Sequence, residues 1–106
     1  MINIQNEVNN ARYSDNLQTV LNKLGSKELL HKDYESDYQG YVDISVLLED
    51  GRVYSYKYYY GSCSGCDEWE SDNYSDEQIV QIMIDEATFF DNIEQFNKYR
   101  ENIENK

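Results

Sequence analysis

The chain has 106 residues, with 21 Asp and Glu against 9 Lys and Arg, a formal net charge of −12, one histidine, two cysteines and no proline. This length predicts a single domain, 1–106, with a real core but no deep cleft between domains. The charge excludes direct binding of nucleic acid, since each phosphate held needs a nearby lysine or arginine, and 14% aromatic residues is too many for a disordered acidic tail.

Residues 1–11 are polar and Asn-rich, with Ile2, Ile4 and Val8 as the only apolar anchors, and read as a short strand or a frayed end. From Ser14, the series Leu17, Val20, Leu21, Leu24 steps at helical spacing, with Ser14 or Asp15 as cap and Gly25 as stop. A further turn over Lys27 to Lys32 precedes Asp33 to Gln39, which reads as a loop.

The strongest local pattern is a hairpin over Tyr41 to Tyr60, two runs of β-formers flanking Asp50-Gly51. A two-residue turn would pair Glu49 with Arg52, Leu48 with Val53, Val46 with Ser55, Ile44 with Lys57 and Val42 with Tyr59. One face would then be mainly aliphatic and meet the helices. Tyr54, Tyr56, Tyr58 and Tyr60 would line the other, either packed under the loop from Cys63 to Tyr74 or left open as an aromatic platform for a partner.

Tyr74-Ser75-Asp76-Glu77-Gln78-Ile79 has the form of a capping box, with Ser75 as cap and Gln78 three residues on, and Tyr74 placed to staple against Ile79. Ile79, Ile82, Met83, Ala87, Phe90, Ile93 and Phe96 form the apolar stripe that follows. A second box at Asp91 to Glu94 leaves open one long helix or two. The expected fold is a small α+β domain in which N-terminal and C-terminal helices pack on an antiparallel hairpin or sheet, in the order α, β, β, α.

Cys63-Ser-Gly-Cys66 is the one short motif with chemistry attached. A redox role is disfavoured, because the trailing Asp67, Glu68 and Glu70 would raise the thiol pKa. A zinc site would need two ligands beyond these weak candidates, Cys63 and Cys66, and the single His31 lies some thirty residues upstream. The bland reading is a tight turn with two small thiols. With no nucleophile elbow, no P-loop and no GxGxxG, neither a catalytic site nor a cofactor is expected.

The charge is unevenly placed: residues 1–32 sum to +1 and residues 33–106 to −13, and no lysine or arginine lies between Lys57 and Lys98. Such a field repels itself and attracts basic partners. The expected contact surface comprises Asp67, Glu68, Trp69, Glu70, Asp72, Asp76 and Glu77, with Tyr56, Tyr58 and Tyr60 as apolar anchors. Solubility alone would be the bland explanation of the acid. The N-terminus lacks the basic and apolar regions of a signal peptide and no stretch is apolar enough for a membrane span, so a cytoplasmic protein with no membrane contact is expected.

In size, acidity and aromatic richness the chain resembles the small inhibitors that phages and mobile elements direct against bacterial defence, including anti-CRISPR proteins and DNA-mimic anti-restriction proteins. This likeness of type carries no residue roles. It implies a non-catalytic inhibitor, monomer or homodimer, working in a bacterial host, whose carboxylates imitate a phosphate row. They would occupy the nucleic-acid site of a basic partner, a nuclease or a CRISPR effector among them. The alternatives are an immunity protein or antitoxin against a basic nuclease toxin, and a small metal or redox protein built on the cysteine loop.

Overall fold

Asn3 accepts hydrogen bonds from the Gln5 and Asn6 amides (3.1 and 3.4 Å) and so caps a single helical turn, α1 (Ile4–Glu7), in place of the expected strand or frayed end. The computed structural model describes residues 2–8, 11–35, 40–60 and 74–104. Ile4 and Val8 are fully buried. Gln18 ties this turn down, accepting from the Ile4 amide at 2.6 Å and donating to the Ile2 carbonyl at 3.0 Å.

Helix α2 (Ser14–Leu24) forms where the spacing placed it, burying Leu17, Val20 and Leu21, and ends at Gly25, whose amide donates to the Leu21 carbonyl. Its N-terminus differs from expectation. Ser14 is already helical, and the preceding Tyr13 sits at φ 68° without a side-chain cap.

Four strands follow in one antiparallel sheet of order β1-β2-β3-β4: β1 (Ser26–Glu35), β2 (Gly40–Leu48), β3 (Val53–Tyr60) and β4 (Thr88–Phe90). β1 replaces the expected helical turn over Lys27 to Lys32 and the first three residues, Asp33 to Glu35, of the expected loop, whose remainder, 36–39, lies outside the described residues. It is a charged edge strand with two register irregularities, which erase the alternation that marks a strand in sequence.

The hairpin β2–β3 forms, but one residue out of the expected register. The Gly51 amide donates to the Leu48 carbonyl (3.1 Å) and the Leu48 amide to the Arg52 carbonyl (2.8 Å), so the loop has three residues, Glu49-Asp50-Gly51. Gly51 takes the left-handed bulge position at φ 94°. Val46 therefore faces Tyr54, Ile44 faces Tyr56, Val42 faces Tyr58 and Gly40 faces Tyr60. A shift of one residue exchanges the faces of a strand. Here it puts the tyrosines and the aliphatic residues on the same side.

That shared side is the core. Tyr54, Val42, Ile44, Val46 and Leu48 are fully buried, and pack with residues of α1, α2 and α3 (Asp76–Asp85) in one cluster. α3 starts at the expected capping box, with Ser75 accepting from the Gln78 amide and Gln78 from the Ser75 amide. The later stripe divides at β4, which pairs with β3 and sends Phe89 into the edge of the core, 5.5 Å from the Tyr54 ring. α4 (Ile93–Glu104) then packs through Phe96 and Tyr99 on Phe90, with ring centroids at 5.6 and 5.2 Å. Its start is fixed by Asn92 and Gln95, one residue beyond the expected box, with the Gln95 amide donating to Asn92 at 2.9 Å. No helix among the described residues is long and apolar enough to cross a membrane.

Candidate functional site

The three tyrosines expected to anchor a partner are core residues: Tyr56, Tyr58 and Tyr60 are 7%, 4% and 5% exposed. With Tyr54 they form a ladder along β3, successive ring centroids 5.9 to 6.4 Å apart. Their polar tips are used inside the protein. Tyr54 donates to the Met83 carbonyl (2.7 Å), Tyr58 to the Arg12 carbonyl (2.6 Å) and Tyr60 to the Glu35 carbonyl (2.8 Å). The aromatic platform is therefore withdrawn: the three-residue loop turned those rings to the helix side of the sheet. Gly40 serves the same packing, since a Cβ there would run into the Tyr60 phenol and the Glu35 carbonyl.

Asp76 and Glu77 stand where the sequence placed them, exposed in the first turn of α3. The helix dipole favours carboxylates there. The fold brings α2 alongside, so that Asn16 donates to Asp76 at 3.2 Å, and leaves an open groove of about 390 Å³ between the two helices. Asp15, Thr19, Lys23 and Val80 complete its lining with Asn16, Asp76 and Glu77. Asp15 was not anticipated as part of a site, because nothing in the chain pairs residue 15 with residue 76 before α2 and α3 pack.

Farther along, Asp85, Glu86, Asp91 and Glu94 are all exposed on the stretch from the end of α3 to the start of α4. α3 has no basic residue in its last turn, where the dipole favours cations. The remaining expected contact residues Asp67, Glu68, Trp69, Glu70 and Asp72, with Cys63 and Cys66, lie outside the described residues.

The sheet face away from the main core keeps Tyr41, Asp43, Ser45 and Leu47 opposite the aliphatic side, as the alternation of β2 predicts, but its β3 and β1 partners were not foreseen. Pairing aligns Glu28 with Leu47 and Val53, His31 with Ser45 and Ser55, Asp33 with Asp43 and Lys57, and Glu35 with Tyr41 and Tyr59. His31 Nε2 lies 3.7 Å from Asp43 Oδ2, and the Ser45 and Ser55 hydroxyls are bonded at 2.9 Å. Lys57 Nζ sits 5.1 and 5.2 Å from the Tyr41 and Tyr59 ring centroids. A hydrogen bond with Tyr59, followed by the charges of Tyr59 and Asp43, pushes the Lys57 pKa up against an opposing desolvation. Partial desolvation, then a hydrogen bond with Asp33, raise that of Tyr41. The clue missed in the sequence was the polar run 36–39, which separates two segments of strand length. Among the described residues no group of three His, Cys, Asp or Glu could hold a metal ion.

Compared with family models, with curated proteins and with solved structures, the chain matches none.

Proposed function

We propose that this protein is a non-catalytic inhibitor that uses an acidic surface to occupy the nucleic-acid-binding site of a basic partner protein. It would act as the DNA-mimicking inhibitors of bacterial defence do. The observation that carries this reading is the placing of the acid. Asp76, Glu77, Asp85, Glu86, Asp91 and Glu94 are all exposed, on a stretch of chain without a lysine or arginine from residue 58 to residue 97. Two of them, Asp85 and Glu86, stand at a helix C-terminus, where each carboxylate costs about 0.3–1 kcal/mol. Solubility needs charge somewhere on the surface but gives no reason to put it there. With the tyrosines inside, the contact is an electrostatic one centred on α3 and its flanks.

Such a contact steers and selects, and it weakens with salt. The test is retention of bacterial nucleic-acid-binding proteins on the immobilised protein at low and moderate salt, followed by elution with duplex DNA. The expected result is a basic protein retained at low salt, released by DNA, and lost when Asp76, Glu77, Asp85 and Glu86 are replaced by lysine. Retention that ignores both the DNA and the charge reversal overturns the proposal.

A further inference from the structure

The outer sheet face holds Asp33 and Asp43 directly opposite each other on neighbouring strands, an arrangement that repels. Four carboxylates, Glu28, Asp33, Glu35 and Asp43, share this face with Lys57 and with His31, whose Nε2 lies 3.7 Å from Asp43 Oδ2. Lys57 leans on Tyr41 and Tyr59, and Tyr59 is 66% exposed. Next to it the face falls into a cleft of about 280 Å³, lined by Asp43, Ser55, Tyr56 and Lys57 of β2 and β3 and by Glu86, Thr88 and Tyr99 from the α3–β4–α4 side. Two carboxylates from different elements, a half-exposed phenol ring and two hydroxyls thus surround a concave space in which Lys57 is the one basic lining residue among the described residues.

We propose that this cleft receives an arginine side chain from a basic protein partner, its guanidinium hydrogen-bonded by Asp43 and Glu86 and its plane against the Tyr99 ring. Charge complementarity selects a cation, and carboxylates on two sides of a cleft with an aromatic wall favour the planar, multiply donating guanidinium over an ammonium. Lys57 is then an internal competitor, held aside by Tyr41 and Tyr59. The site extends the acidic surface to the opposite side of the sheet. It stands independently of the α2–α3 groove.

The test is a titration of the isotopically labelled full chain with a hexa-arginine peptide, followed residue by residue through backbone amide shifts. Saturable shifts are expected at Asp43, Ser55, Lys57, Thr88 and Tyr99. Asp43→Asn with Glu86→Gln weakens binding at these positions by about ten-fold, while Lys57→Met tightens it by about three-fold through removal of a like charge. A hexalysine peptide of equal charge binds more weakly. The proposal is overturned if these amides do not shift, if Lys57→Met leaves affinity unchanged or lower, or if the two peptides bind equally. Shifts confined to the α2–α3 groove and abolished by Asp76→Asn with Glu77→Gln would sink this cleft while leaving the wider inhibitory role standing.

Discussion

The Tyr54 hydroxyl is fully buried and meets the Met83 carbonyl at 2.7 Å, so one side chain supplies both apolar bulk to the core and a partner for the α3 backbone. Tyr54→Phe keeps the ring and leaves that carbonyl short of a donor. A loss of about 1–2 kcal/mol in urea unfolding is expected, against about 3–5 kcal/mol for Tyr54→Ala, which also opens a cavity. Burial raises the pKa of both Tyr54 and Tyr58 far above the ordinary 10.0, because a phenolate in the core would lose its hydration. The unfolded chain releases these two protons near pH 10 and the folded chain keeps them. Their contribution is therefore intact below pH 10 and is lost as pH rises beyond it, at about 2.7 kcal/mol per pH unit. An alkaline unfolding transition that coincides with the appearance of the last phenolate absorbance would check this. Tyr54→Phe with Tyr58→Phe should make the slope shallower.

At the scale of elements the β2–β3 loop decides more than any other feature. Asp50 accepts from the Arg52 amide (3.0 Å) and from its Nε (2.8 Å), and Gly51 takes a positive φ that a side chain would strain. Gly51→Ala meets no steric obstacle, so its cost of about 1 kcal/mol is one of backbone conformation alone. Deleting Glu49 leaves the two-residue turn Asp50-Gly51 with Leu48 still opposite Arg52, so the tyrosines of β3 keep their places opposite Val46, Ile44, Val42 and Gly40. Cooperative unfolding and the near-ultraviolet circular dichroism of the tyrosines should therefore be retained, and their loss would show that the glycine bulge itself holds the register. The hairpin was legible as a pair of β-rich runs around Asp50-Gly51, but its register was not. Asn-Gly-like signals mark both two-residue turns and three-residue loops with a glycine bulge, and burial of the tyrosine face chooses between them. β1 and β4 were missed for different reasons: β1 is a bulged, charged edge, and β4 has only three residues inside a stripe whose spacing also fits a helix.

For the whole molecule, net charge sets stability against recognition. Replacing Asp85 and Glu86 by lysine relieves both self-repulsion and the unfavourable interaction with the α3 dipole. The double variant should be more stable by about 0.5–2 kcal/mol by thermal or urea unfolding, with the gain shrinking as salt is added. The same variant should lose affinity for a basic partner. Gain of stability together with loss of binding is the signature of acid held for function, whereas gain of stability with binding unchanged would mark these carboxylates as a solubility device.

Read alone, the sequence determined the α+β class, the position of α2, the capped start of α3, the hairpin and the concentration of acid beyond residue 57. All of these rest on local spacing or on composition. Only the tertiary structure decided the hairpin register, the edge strands, the burial of Tyr56, Tyr58 and Tyr60, and the sharing of one groove by Asp15 and Asp76 and of one cleft by Asp43 and Glu86. Each of those depends on which face of an element is buried against residues distant in the chain. Local patterns cannot express that choice, because the aliphatic residues of β2 and the tyrosines of β3 can share one face or take opposite faces until the register is fixed by a second layer packing against them.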